Sequence, residues 1–123
     1  IIWGNTEEKI IAEKIKDLSP KVIICEKLSL DSLILFISNA DFVIGSDTGP
    51  THIAWAQNIP SITLFGSTPG YRNTYITNIN KIIESSSIVN PYRINKNDDS
   101  IKEISVAKIL DLTNSMLNQS ATN

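Results

Sequence analysis

Residues 41–52 read DFVIGSDTGPTH, and the fold turns on them. Phe42, Val43 and Ile44 form a short apolar run, the pattern of a strand buried on both faces of a parallel sheet. Gly45-Ser46-Asp47-Thr48-Gly49 breaks that run, and Pro50 opens a helix continuing through Ile53, Ala54, Trp55 and Ala56. Proline suits the first turn of a helix because its missing N–H has no intrahelical partner there. Strand, tight polar turn and helix follow one another directly. The free N–H groups of such a helix point across the carboxyl edge of the sheet, where α/β proteins bind their ligands. Thr48, Gly49, Thr51 and His52 therefore fall where an anionic group would land.

Outward from this stretch, strands and helices alternate. Ile1-Ile2-Trp3-Gly4 reads as the end of a strand, and because the chain opens on Ile1 rather than Met, an upstream part is expected. Asn5 caps the next helix, with Glu8 three residues on as the reciprocal partner of a capping box. Ile11, Ile15 and Leu18 form its apolar stripe, and Pro20 ends it. Val22–Cys25 reads as a strand, Glu26-Lys27-Leu28 as its exit loop, and Ser29 as the cap of a helix through Leu30, Leu33, Ile34 and Ile37. Beyond the central helix, Asn58-Ile59-Pro60 is a turn and Ser61–Phe65 a buried strand closing on the small-residue loop 66–70. A polar loop holds Tyr71, Arg72 and Thr74. Arg72 reads as a solvated side chain, with a phosphate contact as the alternative. Lys81–Glu84 is a last strand, 85–100 a loop, and Ser105 caps a helix carrying Val106, Ile109, Leu110, Leu112 and Leu117 before a frayed tail, 118–123. The pattern predicts one doubly wound, Rossmann-like α/β domain over residues 1–123, with a mostly parallel sheet.

Composition removes several function classes. At 123 residues the chain can bury a core of its own, and 41% hydrophobic content is globular. A net charge of −2 gives nucleic acid no electrostatic support. Cys25, the single cysteine, sits in an apolar run and reads as a buried free thiol of a cytosolic protein. No run approaches the roughly 20 apolar residues of a membrane span. The dinucleotide glycine fingerprint and the Walker A sequence are absent, and no Cys/His cluster has metal-ligand spacing. Asn118-Gln119-Ser120 fits the glycosylation pattern, a match common by chance.

His52 is the only histidine. A lone histidine is ordinarily structural, but this one lies in the first turn of a helix at the ligand edge, where it can donate to a phosphate oxygen, more strongly when protonated. Glu8 has two readings, a capping carboxylate or an acceptor for vicinal hydroxyls. Leu28 also has two, a staple under its helix or an apolar ligand contact.

The segment VIGSDTGPTHIAWAQNIPSITLFGSTP resembles the nucleotide-sugar motif of the ADP-heptose:lipopolysaccharide heptosyltransferases, two-lobed enzymes of the GT-B type. Asp47, Thr48, Gly49 and His52 match that pattern, whereas Pro50 stands for the usual Leu and Trp55 for a small residue. The family's Gly-Pro-Thr-x-Pro is altered by Ser67 and by a displaced Pro69, and the resemblance assigns Thr68 no role. It implies that the chain is a C-terminal lobe binding ADP-heptose as donor substrate, with no tightly bound cofactor and with Mg²⁺ dependence left open. Adenine would then lie near Leu28, ribose at Glu8, and diphosphate on the Thr48 and Gly49 amides with His52. A carboxylate beside a diphosphate is electrostatically unfavourable, so Asp47 is expected on heptose hydroxyls or on backbone N–H groups of its own turn. No residue is assigned as catalytic, because the general base is expected in the missing N-terminal lobe, and the chain alone should bind donor without transferring heptose. The acceptor implied is Kdo-lipid A, and the place implied is the cytoplasm, peripheral on the inner face of the bacterial inner membrane. Oligomeric state is left open.

Two other classes fit less well. Asp47 with Thr63 and Lys81 has the look of a phospho-accepting receiver domain, but Ile1-Ile2-Trp3-Gly4-Asn5 supplies no acidic residues for Mg²⁺. A nucleotide-sugar-binding module without chemistry is the third reading.

Overall fold

The computed structural model describes residues 1–73, 76–86 and 99–120, without the side chains of residues 72, 73 and 120. The expected contact of Arg72, Thr74 and most of the polar loop 85–100 lie outside that description. The backbone divides into two compact units, Ile1–Leu35 and Phe36–Asn123.

In the first unit, helix α1 (Thr6–Leu18) begins as expected: the Asn5 side chain accepts from the Glu8 N–H at 2.9 Å. The reciprocal bond falls one residue early, with Gly4 N–H donating to Glu8 Oε2 at 2.6 Å. The expected apolar stripe is a correction. Ile11, Ile15 and Leu18 are exposed, and the buried residue of α1 is Ala12. Periodicity groups the isoleucines correctly, but the face that packs is the one where a small side chain permits close approach. Val22–Cys25 is a second correction, since no strand ladder forms there. Ile1 nevertheless donates to the Ile23 carbonyl and accepts from the Cys25 N–H, the two bonds of a parallel pair centred on Ile24. Trp3 Nε1–H donates to the Cys25 carbonyl at 2.7 Å, and Cys25 is a half-buried free thiol rather than a buried one. Helix α2 (Leu30–Ser38) is capped by Ser29, whose Oγ accepts from the Ser32 N–H.

The second unit holds the sheet. Strands β1 (Val43–Ser46), β2 (Ser61–Phe65) and β3 (Asn80–Glu84) lie parallel in that order, with Gly45 beside Thr63 and Thr63 beside Ile82. Parallel order requires crossovers. Helix α3 (Gly49–Ala56) provides the first, and the second contains the short helix α4 (Gly70–Asn73). Ile62 and Ile83 point to one face, where Met116 of α5 (Val106–Ser120) closes a core with Phe42, Leu64, Ile104, Ile109 and Leu112 around it. The other face carries small residues opposite α3, and a Cβ on Gly45 would come within 3.1 Å of Thr51 Cγ2. With helices on both faces, the doubly wound α/β class holds.

Three features differ from the sequence reading. β1 is an edge strand of this sheet, so Ile44 is 46% exposed instead of buried. Gly70–Asn73 forms a helical turn where a loop was expected, and α5 runs on to Ser120. The turn at Asn58 is an αL cap: Asn58 has φ 57°, and the Ile59 N–H donates to the Ala54 carbonyl.

Candidate functional site

The carboxyl end of β1 meets α3 through Asp47 and Thr48 alone, which leaves the turn with unpaired backbone groups. Thr51 satisfies several of them. It is wholly buried, its Oγ1 lies 2.9 Å from the Ser46 carbonyl and 2.8 Å from the Thr48 carbonyl, and it accepts from the Thr48 N–H at 3.4 Å. Its one proton is shared between the two carbonyls. Thr51 therefore does not meet a ligand, as its place in the turn suggested, but fastens the turn from beneath.

Thr48 and Gly49 are exposed at the start of the helix. A Cβ added to Gly49 would meet no atom within 4 Å, and the residue does not need a positive φ. Nothing in the described chain requires glycine there. A side chain at Gly49 would fill space at the start of the helix, where an approaching phosphate would come.

Asp47 and His52 form a pair. His52 Nε2 lies 3.0 Å from Asp47 Oδ1, and the carboxylate is the more enclosed partner, 13% exposed against 48% for the imidazole. Asp47 Oδ2 accepts from Thr68 Oγ1 at 3.3 Å. The carboxylate that was expected on sugar hydroxyls or on its own turn thus faces a histidine and a threonine. With Asp47 ionised it can only accept, so Nε2 carries a proton. In the neutral ring Nδ1 is then an acceptor, and only the imidazolium donates from Nδ1. His52 also meets the Trp55 ring edge-on at 4.5 Å.

The pairing had a legible signal. Asp47 and His52 occupy the positions just before the N-cap and at the fourth helical residue, which in many helices hold an apolar staple; here the staple is polar. Of the other expected residues, Glu8 and Leu28 belong to the first unit. Glu8 is exposed and holds Gly4 through one oxygen, and Leu28 is half-buried ahead of α2. Among the described residues no group of three or more His, Cys, Asp or Glu side chains could hold a metal ion.

Residues 1–103 match the model of glycosyltransferase family 9 (heptosyltransferase), and the chain belongs to that family. Lipopolysaccharide heptosyltransferase 1 of Campylobacter coli is 44% identical over 115 residues, covering 89% of this chain and 34% of the relative. The protein of the same name from Salmonella typhimurium is 32% identical over 74 residues, 59% of this chain and 23% of the relative. A solved structure, E. coli heptosyltransferase WaaC with ADP, superposes with a TM-score of 0.74 over 93% of this chain and 32% of that one, at 19% identity. That likeness confirms a Rossmann-like lobe of the GT-B type. The chain spans about a third of the length of these proteins. Family membership also removes the receiver reading, and the geometry agrees: Thr63 is wholly buried, and Asp47 is engaged by Thr68 and His52.

Thr51→Val keeps the shape of the side chain but removes its hydroxyl, so the Thr48 N–H loses its acceptor and the Ser46 carbonyl keeps only the longer bond from Thr48 Oγ1 at 3.4 Å. Urea unfolding of this variant should show a loss of about 1–3 kcal/mol, with Thr51→Ser closer to the parent. Equal stability of the Val variant and the parent would show that the hydroxyl does not hold the turn.

Proposed function

We propose that this chain is the donor-binding, C-terminal lobe of a heptosyltransferase that takes ADP-heptose as donor and transfers heptose to the Kdo-lipid A inner core in lipopolysaccharide biosynthesis. The observation carrying this reading is the β1–α3 turn, where Gly49 is exposed with open space at its Cβ position and His52 lies in the first turns of the same helix, in a chain of glycosyltransferase family 9. That the relatives are lipopolysaccharide heptosyltransferases supports the heptose, and the ADP held by the similar WaaC structure supports the nucleotide.

In this reading Thr48 and Gly49 at the start of α3 receive the diphosphate together with His52, the Gly49 amide serving as the backbone donor because the Thr48 N–H already donates to Thr51 Oγ1. As the glycosidic bond breaks, negative charge grows on the departing ADP, and donors already aimed at it lower the barrier. His52 then acts on the leaving group, which places it on the wrong side of the sugar to activate an acceptor. The base for that step comes from the N-terminal lobe. Glu8 accepts from the ribose hydroxyls through the oxygen not bound to Gly4, and Leu28 packs on adenine. The acceptor is membrane-anchored, so the protein works peripherally at the cytoplasmic face of the inner membrane. Among the described residues no helix is long and apolar enough to cross a membrane.

Calorimetric titration with ADP, UDP and GDP tests the donor class. ADP should bind most tightly. Gly49→Val should weaken ADP binding at least tenfold while leaving the unfolding midpoint near that of the parent, because the added side chain enters open space. A variant that folds and binds ADP normally would place the phosphates elsewhere.

Glu8→Ala separates the two roles of that carboxylate. Loss of ribose contacts should weaken ADP binding by about 1–3 kcal/mol and leave pyrophosphate binding unchanged. A lower melting temperature with unaltered ADP affinity would reduce Glu8 to a helix cap.

A further inference from the structure

The loop after β2 is held at both ends. At Gly66 the backbone of Ile101 comes so close that a Cβ would lie 2.7 Å from its nitrogen and 2.9 Å from its Cα. Ser85 adds a bond from its N–H to the Phe65 carbonyl at 2.8 Å and one from its hydroxyl to the Gly66 carbonyl at 3.3 Å. At the other end the Gly70 N–H donates to Glu84 Oε1 at 2.7 Å. Between these clamps Thr68 reaches 21 residues back along the sequence to Asp47 Oδ2. The same carboxylate holds His52 through Oδ1.

We propose that Thr68 is a positioning residue for the donor site, its hydroxyl fixing the Asp47 carboxylate so that the carboxylate in turn fixes the His52 ring. The proposal rests on the donor-site reading of His52. The bond from Thr68 to Oδ2 limits rotation of the carboxylate about its Cβ–Cγ bond. With both oxygens engaged, the direction in which Oδ1 receives the Nε2 proton is set, and Nδ1 is presented in one orientation to an incoming phosphate. The clamps at Gly66 and Gly70 make the Thr68 hydroxyl a fixed reference for that chain of contacts. A carboxylate bonded to two donors is also kept from turning its charge toward the diphosphate. Thr68 itself touches neither nucleotide nor sugar in this scheme.

His52 is the single histidine of the 123-residue sequence, so its ring proton on Nε2 is assignable without ambiguity in the proton–nitrogen NMR spectrum. In the ligand-free chain, Thr68→Val should accelerate exchange of that proton with water at least tenfold, and Thr68→Ser should restore the parent rate. The Kd for ADP should rise about fivefold or more in Thr68→Val and return with Ser. Should the Val variant not fold, Thr68→Ala carries the same comparison. Unchanged exchange in Thr68→Val overturns the proposal, as does accelerated exchange with unaltered ADP affinity. A parent chain that binds no ADP overturns the donor-site reading of His52 and, with it, the ligand half of the proposal. The exchange rate alone still decides whether Thr68 positions the ring.

Discussion

A strand that passes into a helix within two residues must satisfy polar backbone groups that neither element can pair, and here one buried hydroxyl does most of that. Thr51 reaches the carbonyls of Ser46 and Thr48 and the N–H of Thr48 from inside the fold. Those groups are engaged from beneath, while on the outer side Thr48 and Gly49 are exposed and Gly49 is unobstructed at its Cβ position. The methyl of the same threonine lies over Gly45, which holds the helix close to the sheet. Packing and ligand access are thus set by opposite sides of a single residue's neighbourhood.

The charge arrangement depends on the same turn. An aspartate next to a phosphate site would ordinarily repel its ligand. Asp47 is turned toward His52 and Thr68, so in the proposed donor site both its oxygens already have donors. His52 is thereby held at Nε2, which leaves Nδ1 as its second polar atom. Chain positions 47, 52 and 68 therefore act as one electrostatic unit at the carboxyl edge of the sheet.

Much of this was legible in the sequence for local reasons. Pro50 and the glycines on either side of Asp47 mark the turn, and β2 begins and ends where its apolar run does. The misreadings have physical causes. The isoleucines of α1 share a face by periodicity, but periodicity does not say which face is covered, and Ala12 is the side chain that is buried. Phe42-Val43-Ile44 reads as a central strand, while exposure of Ile44 follows from the edge position of β1, which only the sheet order reveals. The Asp47–His52 pair could have been found from its staple spacing. The bond to Thr68 could not, since 21 residues separate the partners and no local pattern links them.

The central claim is that the exposed start of α3 receives the diphosphate of an adenine nucleotide. Backbone amide NMR of the chain during titration with ADP tests it most directly. The amides of Thr48, Gly49 and His52 should shift together and saturate at one affinity, with the His52 ring signals following the same curve. Saturable shifts confined to other residues, with these three amides unmoved, would contradict it.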